Sequence, residues 1–110
     1  MMKELQHMTT DEVLALVDAG EDVHIIDIRE DFEVAMGTIP QAVHIPMQEV
    51  PARLDEFDPE TPYILICRSG NRTYHLGQYM AARGYTVINM LGGIIDWRGD
   101  IETRMEILED

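Results

Sequence analysis

The chain has 110 residues, 45% apolar and 26% charged, with a net charge of −13 and one cysteine. These values fit one globular domain spanning 1–110 and exclude intrinsic disorder. They also exclude an internal disulfide, and they exclude nonspecific nucleic-acid binding, which needs a basic footprint.

In chain order, KELQHM reads as a short first strand. TTDEVLALVDAG reads as a helix. Thr9 stands as its N-cap with Glu12 three residues on, a capping box, and Gly20 is its stop. VHIIDI, residues 23–28, is short, β-branched and mostly apolar, hence a strand; REDFEVAM is a short helix and GTIPQ a turn. AVHIP is a further strand closed by Pro46, and MQEVPARLDEF is expected to be helical, entering near Pro51.

YILIC is an apolar run of the kind found in a central parallel strand buried on both faces. RTYHLGQYMAARG follows as a helix with Leu76, Tyr79 and Met80 on one side and Gly84 as its stop. YTVINML is the last strand, and GGIIDWRGD turns into a short helix. The tail, 101–110, carries Ile101, Met105 and Leu108 at helical spacing, a stripe suited to docking on the domain. Alternation of strands and helices predicts an α/β fold with a mostly parallel sheet, whose ligands gather at the carboxyl ends of the strands. Cys67, Asp27, Arg29 and His44 all fall at such ends.

No apolar run approaches the ~20 residues of a membrane span. The start, MMKELQHMTTDEV, lacks the apolar stretch of a signal peptide, so a cytoplasmic location and no membrane partner are expected.

The sole thiol lies where an apolar strand gives way to Arg68, Ser69, Gly70, Asn71 and Arg72. A lone cysteine in a reducing compartment is either a small packing hydrophobe or a reactive group. Here the surroundings favour reactivity. The eight cations of this acidic chain are Lys3 and seven arginines, and two of those flank the thiol. The expected order is strand, cysteine, five polar or small residues, helix. Loop amides can then turn inward as an anion nest, and the helix adds its free N–H groups and positive dipole end. Gly70 lets the loop curl through positive φ. Such a setting depresses a thiol pKa from about 8.5 and makes the thiolate, the nucleophile, more abundant. His7, His24, His44 and His75 show no ligand spacing, so no metal is expected. His75 is placed on the helix pointing away from the thiol, which disfavours a Cys–His hydrolase. No P-loop or dinucleotide fingerprint is present.

Two chemistries use a thiolate in an anion-cradling loop: attack on phosphorus and attack on sulfur. Four residues separate Cys67 from Arg72. That is one fewer than in the Cys, five residues, Arg pattern of cysteine phosphatases, and it favours a cradle for one sulfur atom over one for a phosphate or arsenate dianion.

The segments CRSGNRT, DIREDFE, GTIPQAVHIP and INMLGGIIDW, in this order, resemble the rhodanese homology domain over nearly the whole chain. In that pattern Asp27, Arg29 and Glu33 match an Asp-x-Arg-x-x-x-Glu stretch; Thr38 stands for a usual histidine, Gln41 for a usual glycine and Val34 for a frequent aromatic. The resemblance implies a three-layer fold around a sheet of about five strands. It implies a sulfurtransferase that needs no cofactor: Cys67 takes sulfur from a small anionic donor such as thiosulfate and passes it to cyanide, a thiol or a protein cysteine. It assigns Ser69, Gly70 and Asn71 to the cradle, Arg68 to donor attraction at the rim and Arg72 to charge neutralisation and loop–helix linkage. Asp27 and Arg29 are expected to pair beside the site, with Arg29 reaching toward it. Trp97 is expected in the core, and Gly92 and Gly93 in a tight turn. A phosphatase on the same fold and a noncatalytic sulfur carrier or redox-sensing module are the alternatives; a monomer is the default.

Overall fold

A computed structural model describes residues 1–109. Its regular elements are β1 (Gln6–Thr9), α1 (Thr10–Asp18), β2 (Ile25–Asp27), α2 (Asp31–Met36), β3 (Ala42–His44), β4 (Tyr63–Ile66), α3 (Asn71–Ala82) and β5 (Val87–Leu91). The five strands form one sheet in the order β1-β5-β4-β2-β3, and every pairing is parallel. No helix among the described residues is long and apolar enough to cross a membrane.

The sheet is coated on both faces, and strand alternation assigns its side chains to one coat or the other. Ile25, Ile64, Ile66 and Met90 pack with Val13 of α1 and with Trp97. Ile26, Leu65, Cys67 and Val87 pack with Leu76 and Met80 of α3. Cys67 therefore sits on the α3 side because it lies an even number of residues from Leu65. α1 has the expected capping box, Thr9 Oγ1 accepting from Glu12 N–H at 3.1 Å and Glu12 Oε1 accepting from Thr9 N–H at 2.8 Å. Its end is a Schellman motif: Gly20, at φ 74°, and Glu21 donate back to Val17 and Leu16.

Three expectations are corrected. The first strand starts at Gln6, because Lys3 instead donates its backbone N–H to Ala81 at 2.8 Å and its Nζ to Pro59 and Thr86. The segment from Met47 is not a continuous α-helix. It is two short 3-10 pieces, Met47–Glu49 and Pro51–Glu56, with Arg53 off helical geometry at φ −117° and ψ 18°. Pro51 has no N–H for an i→i−4 bond, and its ring crowds the preceding turn. The tail docks by its backbone and not by an apolar stripe. Thr38 and Glu102 exchange hydrogen bonds of 2.9 Å, and Arg104 N–H donates to Ala35 at 2.9 Å. Ile101, Met105 and Leu108 each stay 48% exposed, with a 3-10 turn over Met105–Leu108.

Beyond the end of β2 lies a buried polar knot. Asp27 is fully buried and accepts from Arg29 Nη2 at 2.8 Å, Arg29 Nε at 3.0 Å and Thr38 Oγ1 at 2.7 Å. Arg29 Nη2 also donates to the Gly37 carbonyl at 2.7 Å. Thr38, which departs from the family pattern, thus completes the shell of Asp27; Gln41, the other departure, is exposed. The knot ties the end of β2 to the C-terminal end of α2. Asp27→Ala would strand a buried guanidinium and is expected to lower unfolding stability by about 3–5 kcal/mol, measured by urea denaturation.

Candidate active site

β4 ends at Ile66 and α3 begins at Asn71, so three residues, not five, separate Cys67 from the helix. The correction has a local cause. Gly70 takes φ 95° and serves as the N-cap, which lets Asn71 and Arg72 enter the first helical turn. Asn71 is exposed there, and the sulfur's partners lie to either side of it. Gly70 N–H donates to Cys67 Sγ at 3.2 Å, and the Thr73 hydroxyl lies 3.4 Å from it. Thr73 is a site residue that sequence reasoning missed. Its available signal was a hydroxyl one helical step past the loop, at the position whose side chain returns toward the strand.

Cys67 is 1% exposed. Burial by itself pushes the thiol pKa up. The amides of Thr73, Gly70 and Ser69 act the other way, as does the Thr73 hydroxyl whenever its proton faces the sulfur, and these groups carry the thiol below its usual range. The nest expected from Arg68 to Arg72 is thus built by Ser69, Gly70 and Thr73. Arg68 and Ser69 are exposed at its mouth.

Arg72 does not turn into the cradle. Its guanidinium makes a bidentate pair with Glu33 of α2, at 2.9 and 3.0 Å, and holds that carboxyl below the usual carboxylate range. Glu33 Oε1 also accepts from Glu30 N–H at 3.1 Å, closing the start of α2. The pair braces α2 against α3 while leaving a positive charge near the sulfur, whose negative charge in turn favours ionised Arg72. Arg29 is spent on Asp27 and Gly37, with no hydrogen bond to the loop among the described residues. His44 Nε2 lies 2.8 Å from the Arg29 carbonyl oxygen, and His75 is exposed on α3. Among the described residues, no three His, Cys, Asp or Glu side chains gather into a metal-holding group.

The turn after β5 seals the loop from the other side. Ile94 N–H donates to the Cys67 carbonyl at 2.9 Å and Ile95 N–H to that of Arg68 at 3.1 Å. Gly93, at φ 63°, lies so close that a Cβ there would overlap the Arg68 carbonyl. This explains the paired glycines: Gly92, at φ 83°, also turns through the left-handed region. Trp97 is 9% exposed, packs in the α1-side core and donates Nε1–H to the Asp100 carbonyl at 3.0 Å.

Residues 9–100 match the family described as the rhodanese-like domain. YtwF of Bacillus subtilis, provisionally named a sulfurtransferase, is 37% identical over 101 residues, covering 92% of this chain and 98% of its own. A protein of Allochromatium vinosum named a sulfurtransferase is 42% identical over 78 residues, covering 70% of this chain and 73% of its own. The crystal structure of a rhodanese-like domain protein from Staphylococcus aureus superposes with a TM-score of 0.83 at 34% identity, covering 89% of this chain and 97% of that one. With a parallel five-stranded sheet, a cysteine loop closing onto a helix and a glycine-paired turn beneath it, the chain belongs to the rhodanese-like domain family.

Proposed function

We propose that the protein is a sulfurtransferase that carries sulfane sulfur on Cys67. The observation that supports this most directly is the Gly70 N–H donated to the Cys67 sulfur at 3.2 Å at the start of α3, where the neighbouring Ser69 and Thr73 amides also favour the thiolate. That cradle suits a thiolate and then a persulfide, whose outer atom bears the charge. Both relatives described above carry a sulfurtransferase name.

The reaction is a double displacement. The Cys67 thiolate attacks the outer sulfur of thiosulfate; a new S–S bond forms, the old one breaks, and sulfite leaves with the electron pair. An acceptor, either cyanide or a thiolate from a small molecule or a protein cysteine, then attacks the outer sulfur of the Cys67 persulfide and releases the Cys67 thiolate. No oxidant or reductant is consumed. Exposed Arg68 at the mouth attracts the anionic donor. Arg72, anchored by Glu33, supplies a fixed positive charge near the sulfur.

The near-complete burial of Cys67 favours a second reading, a carrier that holds its sulfur shielded and releases it only to a partner. Intact-mass measurement after thiosulfate treatment, followed by steady-state turnover with cyanide, separates the two. An enzyme turns over; a carrier gains one sulfur and stops.

In either case Cys67→Ser is expected to abolish the reductant-reversible gain of one sulfur, and substantial loading of that variant removes Cys67 from the reaction. Arg68→Ala is expected to raise KM for thiosulfate about two- to fivefold, the scale of one exposed charge interaction, with a smaller effect on kcat. The rise should shrink as salt increases, and an unchanged KM at low salt refutes the steering role.

A further inference from the structure

A second polar layer stands behind the cradle. Asn89 of β5 is 2% exposed and lies on the α3 side of the sheet, in step with Val87. Its Nδ2 donates to the Gly70 carbonyl at 3.3 Å, and its Oδ1 accepts from the Thr73 hydroxyl. The Gly70 carbonyl can only accept, so it must face the Asn89 amino group. That sets the amide's orientation and turns Oδ1 toward Thr73. A hydroxyl has one proton. While that proton is on Asn89, the Thr73 oxygen presents a lone pair to Cys67 Sγ, an arrangement that complements the S–H of a neutral thiol and opposes the thiolate.

We propose that Asn89 is a positioning residue that holds the Thr73 hydroxyl proton away from Cys67, so that full stabilisation of the thiolate requires this hydroxyl to turn from Asn89 to the sulfur. The turn leaves Asn89 Oδ1 buried without a donor, which opposes it. The amides of Ser69, Gly70 and Thr73 favour ionisation throughout, and the hydroxyl is the one member of the cradle that can face either way. Ionisation releases the thiol proton to solvent and needs no other reactant. The charged groups around the sulfur stay in place during the turn. They are Arg72 of α3 with its partner Glu33 of α2, Arg68 at the mouth, Asp96 folded against Gly92 in the turn after β5, the Asp27–Arg29 pair at the end of β2, and the titratable His7 of β1, in register with Asn89 and stacked on Tyr74. The inference rests on the sulfur-transfer reading only in taking Cys67 as the reacting atom.

The test is the pH dependence of Cys67 alkylation by iodoacetamide on the intact chain with no sulfur donor present. Asn89→Ala keeps the Gly70 carbonyl bonded to Tyr74 N–H, now at 3.2 Å, and frees the Thr73 proton for the sulfur. The inflection is expected to move down by about one pH unit. In a Thr73→Val background the same Asn89→Ala change is expected to move it by nothing measurable. Thr73→Val alone is expected to shift it by less than about half a unit, because the hydroxyl's gain at the thiolate is offset at Asn89.

An unchanged or raised inflection in Asn89→Ala, or an equal fall with and without Thr73, overturns the proposal. Should Asn89→Ala fail to fold by circular dichroism, Thr73→Val decides alone: a rise of more than about half a unit means that the hydroxyl already donates to the sulfur and overturns the proposal. A chain that alkylates as expected but gains no sulfur from thiosulfate refutes the proposed function and leaves this inference standing.

Discussion

Everything at this site depends on the convergence of peptide amides on a single buried sulfur. A thiol sealed in a hydrophobic core is normally inert, since burial disfavours its charged form. Here Cys67 belongs to the α3-side core and also receives the Gly70 N–H, with the amides of Ser69 and Thr73 favouring its charged form. The cradle exists because β4 stops one residue short of the cysteine and α3 starts at Asn71, with Gly70 making the corner. The turn after β5 holds that corner shut through Ile94, Ile95 and the close approach of Gly93.

Two ion pairs divide the remaining work, and neither contacts the sulfur by hydrogen bond. Asp27 and Arg29 knot the end of β2 to Gly37 and Thr38 and so set where α2 lies. Glu33 of that helix then reaches Arg72 on α3. The chain of contacts runs from a buried knot to a brace across the cradle's flank. In a chain of net charge −13, it keeps an arginine near the sulfur while neutralising the Glu33 carboxylate. Asn89 closes the opposite flank from β5 and ties the Gly70 carbonyl to the Thr73 hydroxyl.

Much of this is legible in the amino-acid sequence. The capping box at Thr9 and Glu12, the buried run YILI and the glycine pair are local patterns with local causes, and each reappears in the structure. Failures occurred where a long-range contact overrode a local pattern. The helical spacing of Ile101, Met105 and Leu108 lost to backbone pairing with Thr38 and Ala35. The helix expected from Met47 onward gave way to tighter turns around Pro51. Arg72, adjacent to the loop in sequence, was drawn to a carboxylate on another helix.

Residue order alone determined the class of fold and marked Cys67 as the candidate reactive residue at the end of a buried strand, because periodicity, capping and glycine conformation act within a few residues. Tertiary structure decided which groups surround that atom. Thr73 and Asn89 entered the site, and Arg29 and the Arg72 guanidinium were turned to carboxylates elsewhere. Those outcomes reflect competition among buried donors and acceptors far apart in the chain, and such a competition is resolved only when the packed strands and helices set their distances.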